Sequence, residues 1–258
     1  MFINEFLGYP LAFVYRKFIY SQPKLINHLY IIGTGVLILL FNYGLDIYHT
    51  LMAISASFIM IHTLKGTPLI AATFIFHMGY LLIGYHYTGT DTYDIKWTMP
   101  HCVLVLRLIG LSFDVIDGQR PDEELSKENR KSCLKQIPGI LDVFAYTLFP
   151  ASVLVGPQFP LRRYQSFTNK EFEKYTGYFE AGLKRGGIGL IYLIINQIGS
   201  STIPDDYLLS EDFASRSIMY RWIIVGLWGK ITLYKYIACW LLSEGAATCF
   251  GKCCVCFG

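Results

Sequence analysis

The sequence predicts an all-α protein, a multi-pass transmembrane helical bundle with about six to eight membrane segments, one of them re-entrant. Hydrophobic residues make up 53% of the 258 residues and charged residues only 16%, whereas soluble domains carry about 25% charged residues. The apolar residues are also grouped into stretches of about 20, the length at which a helix crosses ~30 Å of hydrocarbon. The net charge of +3 is too small to indicate nucleic acid as a partner.

Six stretches are long and apolar enough to cross a membrane, and a seventh, at residues 2–20, is weaker. The seventh is interrupted by Gly8, Pro10 and two basic residues, so it is either a short span or an interfacial helix. Pro68 falls in the first turn of its stretch, where a missing N–H does little harm. The six stretches are residues 26–44, 47–64, 68–87, 99–116, 186–203 and 217–242.

The loops between these stretches differ in charge, which predicts the side of the membrane on which each one lies. Residues 118–139 contain five Lys and Arg residues, and residues 160–187 contain six. Residues 200–215 contain none and carry four acidic residues instead. Because Lys and Arg favour the cytoplasmic side, we expect the first two loops in the cytosol and the third in the lumen.

The apolar stretch 140–159 lies between the two basic loops, so it is expected to begin and end on one side of the membrane. It contains Pro150, Gly156 and Pro157, each of which is costly inside a helix. A re-entrant segment satisfies both observations. Irregular backbone at membrane depth must be buried by protein or line a water-filled space, so this reading predicts an enclosed cavity or tunnel. Two oblique helices packed against the bundle are an equally good alternative.

Arg107, Asp114, Lys230 and Lys235 lie well inside the predicted spans, where polar groups are expensive and often functional. Arg107 and Asp114 are seven residues apart, about 10 Å along one helix face, so each needs a different partner. Lys230 and Lys235 interrupt an otherwise apolar stretch. They either approach an anionic headgroup or phosphate, or they reach the membrane surface or form structural ion pairs.

The histidines are the residues best suited to proton transfer near neutral pH. A single histidine on an apolar helix, however, more often makes an interhelical hydrogen bond. We find no grouping of histidines and carboxylates with metal-ligand spacing, so no metal site is predicted. The six histidines are His28, His49, His62, His77, His86 and His101.

Four of the seven cysteines are concentrated at the end of the chain. Their spacing, C-x3-C-C-x-C, matches none of the common zinc-binding arrangements. Cysteines close to a membrane can also be palmitoylated. The four are Cys249, Cys253, Cys254 and Cys256.

Three segments carry a specific resemblance. They are YDIKWTMPHCVLVLRLIGLSFDVIDG at residues 93–118, LVGPQF at 154–159 and LWGKITLYKYIACWLLSEG at 227–245. Together they resemble the membrane-bound O-acyltransferases, and within that family the lysophosphatidylcholine acyltransferases. The likeness extends in order from about residue 6 to residue 245.

The resemblance implies a multi-pass enzyme of phospholipid remodelling in the endoplasmic reticulum membrane. Such enzymes transfer an acyl group from acyl-CoA, a co-substrate, to lysophosphatidylcholine, and they need no bound cofactor. Their partners are therefore membrane lipids and acyl-CoA, which the basic loops would attract through its phosphates. The residues expected to bind substrate are Gly156, Gln158, Phe159, Trp228, Lys230 and Lys235.

The sequence departs from the family after residue 245. The catalytic Asn and His of the family lie in a later region, and none of the six histidines here aligns with that His, so no catalytic residue is predicted. We expect residues 1–245 to be the N-terminal part of the family's transmembrane domain and residues 246–258 to be an unrelated cysteine-rich tail.

This reading predicts a half-length chain that is inactive alone. The alternative is a non-catalytic membrane protein that associates with a full-length relative and modulates it. A small transporter would need paired broken helices in two halves, and the sequence has one such segment.

Overall fold

The computed structural model describes residues 2–89, 96–173 and 176–252. All regular elements in these ranges are helices, which confirms the all-α prediction. In chain order the helices are α1 Phe2–Val14, α2 Lys24–Tyr43, α3 Ile47–Thr63, α4 Thr67–Thr88, α5 Thr98–Asp117, α6 Lys127–Ser132, α7 Ile140–Thr147, α8 Leu161–Thr168, α9 Tyr178–Thr202, α10 Asp205–Leu208, α11 Glu211–Ser215 and α12 Ile218–Ala247.

The six predicted stretches correspond to α2, α3, α4, α5, α9 and α12. The first four agree with the structure within about two residues, because each apolar stretch is bounded by polar residues or turns. The helix α9 begins eight residues earlier than predicted, since its first two turns are polar. There Lys184 Nζ pairs with Glu180 Oε1 at 2.8 Å, an i,i+4 contact that supports a helix in water.

Three helical stretches within the described ranges are long and apolar enough to cross a membrane. They are Lys24–Thr63, which comprises α2 and α3, together with Thr67–Thr88 and Thr98–Asp117. The helices α9 and α12 are long enough but do not meet the same condition on hydropathy and charge. The structure is therefore a helical membrane bundle, and the number of spans stays a prediction.

An aromatic cluster forms the centre of the bundle and joins elements that are distant in sequence. The ring centroids of Phe149 and Phe250 lie 5.0 Å apart, and those of Tyr15 and Phe167 lie 5.5 Å apart. Tyr164 belongs to the same cluster, and all five residues are fully buried. Because large aromatic side chains bury the most surface, this cluster fixes the chain before α2 against α8 and the end of α12.

The end of the described chain is part of this core. A single π-helical turn, Thr248–Lys252, follows α12, and it buries Cys249 and Phe250. Gly251 in this turn has φ +85°, and a Cβ there would lie 2.9 Å from the guanidinium of Arg16. Cys253, Cys254 and Cys256 lie outside the described residues.

The helices α9 and α12 form a closely packed antiparallel hairpin. A Cβ at Gly182 would lie 2.7 Å from the backbone oxygen of Gly245, so the two backbones meet because both positions are glycine. Further along, Asn196 Nδ2 donates to the backbone oxygen of Ile231 at 2.8 Å. The hairpin is attached to the rest of the bundle through α1, where Tyr9 OH donates to the oxygen of Leu242 at 3.0 Å.

Candidate substrate-binding site

The stretch predicted to be re-entrant folds as one short helix and an irregular return. Helix α7 ends at Thr147, residues 148–160 are irregular, and α8 begins at Leu161. Arg162 Nη1 donates to the backbone oxygen of Cys133 at 3.1 Å, so the chain leaves this segment beside the loop from which it entered. A short helix followed by an irregular return is compatible with the re-entrant hypothesis, which stays a prediction, and residues 140–159 are called the re-entrant segment below.

Arg107 on α5 is the residue around which this segment folds. Its Nη1 donates to the backbone oxygens of Thr147 at 3.1 Å and Tyr146 at 3.4 Å. Its Nη2 donates to the oxygen of Ser152 at 3.1 Å, and its Nε donates to Gln158 Oε1 at 3.2 Å. Only 3% of Arg107 is exposed. The prediction that Arg107 pairs with a residue other than Asp114 is therefore confirmed.

These hydrogen bonds have a direct physical reason. Tyr146 and Thr147 are the last two residues of α7, and the final carbonyls of a helix have no intrahelical partner. They also form the negative end of the helix dipole, which a cation stabilises. In a membrane interior an unpaired carbonyl costs several kcal/mol. Arg107 thus makes it possible for a helix to end inside the bundle, and we assign it as a positioning residue.

Gln158 and Phe159 complete the enclosure of the guanidinium. Arg107 Cζ lies 5.2 Å from the centre of the Phe159 ring and 5.5 Å from that of Tyr146, distances at which a cation is attracted to an aromatic face. Tyr146 OH donates to the backbone oxygen of Phe159 at 2.7 Å. Gln158 Nε2 donates to the oxygen of Val103 at 3.0 Å, so the irregular return is bonded to α5 at Arg107 and one turn before it.

Gly156 lies in the same segment and is required by its backbone. A Cβ at this position would lie 2.3 Å from the oxygen of Ala151 and 2.4 Å from Ser152 Cα. The structure therefore brings together Gly156, Gln158 and Phe159, the first three residues predicted to bind substrate. All three hold the irregular return in its conformation.

The space beside Arg107 is small. A cavity of about 10 Å³ is lined by Arg107, Thr147 and Ser152, with Leu39 and Thr50 opposite. Such a volume accommodates roughly one water molecule. Within the described part of the chain, the re-entrant segment is therefore packed against α5 at this level and does not border a substrate-sized tunnel there.

The second predicted group lies on the hairpin and not at Arg107. Trp228 and Lys235 line a cleft of about 920 Å³ between α9, α10 and α12. Trp228 Nε1 donates to Asp205 Oδ1 at 2.8 Å. Lys230 is exposed on α12 and is not among the lining residues. The two predicted groups thus lie in different regions of the structure, and Asp205, which sequence reasoning missed, lines the cleft together with Trp228 and Lys235.

A third, basic cleft opens where the two predicted cytosolic loops meet. It measures about 490 Å³ and includes Lys24, Lys135 and Arg162. Lys24 Nζ pairs with Asp142 Oδ1 at 3.1 Å. The Lys135 ammonium beside Asp122 holds the pKa of that carboxyl below its usual range. The sequence indicated the charge of these loops but not that they share a cleft.

His28 takes part in this polar region and was not singled out from the sequence. Its Nδ1 lies 2.7 Å from Tyr164 OH, and its Nε2 lies 3.3 Å from Asp142 Oδ1. The positions of Lys24 and His28, four residues apart on one face of α2, were a usable signal. Their common partner, Asp142, is near the start of α7, so this contact fixes α7 against α2.

The other histidines mostly serve packing. His77 Nε2 lies 2.6 Å from Ser57 Oγ on α3, and His49 stacks on Trp97 with ring centroids 3.6 Å apart. A ring nitrogen of His49, Nδ1, is also hydrogen-bonded to Tyr80 OH. His101 is completely buried, whereas His62 and His86 are exposed.

The apolar helices, the broken helix held by a buried arginine and the basic loops define a multi-pass helical membrane protein. Residues 82–253 match the model of the MBOAT, membrane-bound O-acyltransferase family, which is about two thirds of the chain. The chain belongs to this family. The match continues past residue 245, where the sequence placed the boundary of the family domain, and that boundary stays a prediction.

The chain is also similar to three curated relatives named lysophospholipid acyltransferase 5. The Drosophila melanogaster protein is 47% identical over 95% of this chain and 50% of its own length. The Homo sapiens protein is 40% identical over 97% of this chain and 53% of its own length. The Caenorhabditis elegans protein is 38% identical over 97% of this chain and 54% of its own length. The chain thus spans about half the length of these relatives.

Proposed function

We propose that this chain contributes the N-terminal part of a lysophospholipid acyltransferase of phospholipid remodelling in the endoplasmic reticulum membrane. The observation that carries the proposal is the similarity to relatives of that name over at least 95% of the chain. Family membership alone would leave the acceptor open. The proposed reaction converts acyl-CoA and lysophosphatidylcholine into phosphatidylcholine and CoA.

The proposed reaction sets clear demands on the protein. The free hydroxyl of the lysophospholipid attacks the thioester carbonyl, a C–O bond forms, the C–S bond breaks and the CoA thiol leaves. A base must take the hydroxyl proton during the attack. The protein must also hold the acyl-CoA and the acceptor in the correct relative position.

We propose that this chain supplies binding and positioning residues and no catalytic base. Three histidines have a ring nitrogen in a hydrogen bond to a hydroxyl group. His28 is bonded to Tyr164, His49 to Tyr80 and His77 to Ser57. His101 is fully buried, and no described cavity is lined by it. The hydrogen bonds support structural roles for His28, His49 and His77.

The basic cleft is the proposed point of attraction for the CoA phosphates. Lys24, Lys135 and Arg162 surround its opening, and a cleft with one sign of charge raises the local concentration of an oppositely charged substrate. Asp142 and Asp122 offset part of this charge. The attraction is therefore expected to be moderate and to weaken at high salt.

A chimera tests the proposal. Residues 1–245 of this chain replace the corresponding residues of the Drosophila melanogaster relative, and acyl transfer from labelled acyl-CoA to lysophosphatidylcholine is measured in membranes. We expect product at a rate comparable to that of the relative. A chimera that accumulates in membranes and forms no product, beside an active relative, would contradict the proposal.

Membranes that contain only this chain provide the complementary assay. Because the proposal assigns no base to the chain, we expect no product above background under the same conditions. Robust product would show that one of its histidines acts as a base, and substitution of His62, His77 and His101 in turn would identify it.

The second candidate function is a non-catalytic membrane protein that associates with a full-length relative and modulates it. The observation that favours it is Lys230, a charged residue exposed on α12 within otherwise apolar sequence, because a charge that faces lipid is costly and favours association with another protein. Co-purification of the tagged chain with the relative, and a change in the relative's rate, would support this function. Failure to co-purify from gently solubilised membranes would exclude it.

A further inference from the structure

The cleft of about 920 Å³ on the hairpin brings four kinds of chemical group together. Its walls carry two carboxylates, an indole ring, an ammonium group and an apolar surface. Apolar side chains of α9, among them Leu193 and Ile194, form one wall. The polar lining residues used below are Asp205, Asp206, Trp228 and Lys235.

Trp228 and Asp205 present a negative, aromatic surface at one end of this cleft. The hydrogen bond from Trp228 Nε1 to Asp205 Oδ1, 2.8 Å long, runs from the edge of the indole ring, so this bond does not itself cover either face of the ring. Among the described residues, neither Asp205 nor Asp206 forms an ion pair with a cation. An indole face beside unpaired carboxylates is a favourable environment for a quaternary ammonium group.

Lys235 supplies the opposite charge further along the same wall. It lies seven residues after Trp228 on α12, about 10 Å along the helix axis and away from the loop that carries the two carboxylates. A lysine side chain can extend along the helix by several ångströms towards a polar group. The cleft therefore changes from negative at the loop end to positive deeper within the hairpin.

We propose that this cleft binds the headgroup of a zwitterionic choline phospholipid. The trimethylammonium group lies against Trp228 and the two carboxylates, and the phosphate faces Lys235. In a bilayer the ammonium group of such a lipid lies further out than its phosphate, which is the order of charges along the cleft. The apolar wall of α9 then accompanies the start of the acyl chain.

The arrangement also predicts discrimination. A headgroup without the ammonium group would bring no positive charge to Asp205 and Asp206, and its net negative charge would be repelled by the two carboxylates, which disfavours the wrong ligand. The inference rests on the proposed function in one respect, since a choline lysophospholipid is the acceptor proposed above. It concerns binding, however, and does not require turnover by this chain.

Binding of lysophosphatidylcholine with a photoactivatable acyl chain to the full chain in nanodiscs tests the proposal. Cross-linking is competed with unlabelled lysophosphatidylcholine or with anionic lysophosphatidylglycerol. Trp228→Leu and the double change Asp205→Asn, Asp206→Asn are each expected to weaken competition by lysophosphatidylcholine about tenfold. Trp222→Leu is the matched control, because Trp222 is exposed on α12 and does not line the cleft. Glu211→Gln is the control for the carboxylates.

Two further variants keep the test decisive if Trp228→Leu fails to fold. Trp228→Phe retains an aromatic face and loses the N–H donor, so it is expected to retain most of the binding. Asp206→Asn alone should reduce the preference for the choline lipid over the anionic one. Equal competition by both lipids, or loss in the controls as large as in the cleft variants, would overturn the proposal.

The outcome is separable from that of the proposed function. Selective binding of the choline lipid together with an inactive chimera would support headgroup binding in the cleft and refute the acyltransferase role of this chain. An active chimera together with unselective binding would support the acyltransferase role and refute headgroup binding in the cleft.

Discussion

A charged residue is buried and hydrogen-bonded at the centre of the bundle, whereas on the α9–α12 hairpin charged residues are exposed or line an open cleft. At the centre, Arg107 is 3% exposed and donates to four oxygen acceptors, three of them backbone carbonyls. On the hairpin, Lys230 is exposed, and Asp205 and Trp228 face an open cleft. Arg107 is enclosed by hydrogen-bond acceptors of the protein, whereas Trp228 and Asp205 are bonded to each other and still border a cleft of about 920 Å³.

This difference separates residues that hold the fold from residues that can meet a ligand. A buried charge is retained when protein acceptors satisfy it completely, and then little capacity is left for a substrate. Arg107 meets this condition, so its function is to position the re-entrant segment. The residues of the hairpin cleft are only partly engaged by protein, so they are the better candidates for direct contact with lipid.

The largest effect is expected from Arg107→Met. The substitution leaves the final carbonyls of α7 and that of Ser152 without their donor, and each buried unsatisfied group costs ~1–3 kcal/mol. We expect a loss of at least about 3 kcal/mol in the free energy of unfolding. Thermal unfolding in detergent micelles, with limited proteolysis within residues 148–160, measures it.

The control for this prediction is Arg120→Met. Arg120 is exposed and makes only a 3.6 Å contact with Asp117, so its loss should change stability little. Equal stability of both variants would show that the re-entrant segment does not depend on Arg107.

The sequence predicted the helices and the separation of Arg107 from Asp114, but it did not predict the hydrogen-bond partners in either region. The reason is physical. Apolar stretches bounded by polar residues determined α2 to α5 within about two residues, and the distance between Arg107 and Asp114 along one helix excluded their pairing. The acceptors of Arg107 were not predictable, because they are carbonyls of irregular backbone whose positions depend on tertiary packing. The Trp228–Asp205 contact likewise joins two elements that no sequence periodicity relates.

A pair of glycine substitutions sharpens the comparison. At Gly156 a Cβ would lie 2.3 Å from the oxygen of Ala151, so Gly156→Ala forces backbone displacement at the centre and should cost ~1–3 kcal/mol. At Gly226 on the hairpin no atom lies within 4 Å of the same position. Gly226→Ala should therefore be neutral, or stabilise α12 by up to ~1 kcal/mol.

Unfolding midpoints of the two alanine variants measured side by side provide the test. A similar loss in both would mean that the hairpin is packed as tightly as the centre, which would remove the contrast drawn above.

A smaller effect is expected from Asn196→Ala. The Asn196 side chain is one polar contact between α9 and α12, donating to the oxygen of Ile231 at 2.8 Å. Interhelical hydrogen bonds within membrane bundles contribute on average ~0.6 kcal/mol, because the groups also find partners in the unfolded state within the membrane. Gln197→Ala, at the exposed neighbouring position, is the control for helix propensity. A loss several times larger would indicate that this bond, and not backbone packing, holds the hairpin.

The smallest effect concerns a charged pair in water, outside both regions. Lys135 holds the pKa of Asp122 below its usual range, so the carboxylate contributes stability above its unfolded pKa of about 3.9. That contribution is lost as the pH falls through the lower pKa of the folded state.

Both side chains are about half exposed, so the effect should be small and should disappear in high salt. Unfolding midpoints of the protein and of Asp122→Asn, compared at pH 6 and then at successively lower pH, should converge at the acidic end. If the difference instead persists unchanged in high salt, the pair is not screened by solvent, and the loop that carries it is more enclosed than its exposure indicates.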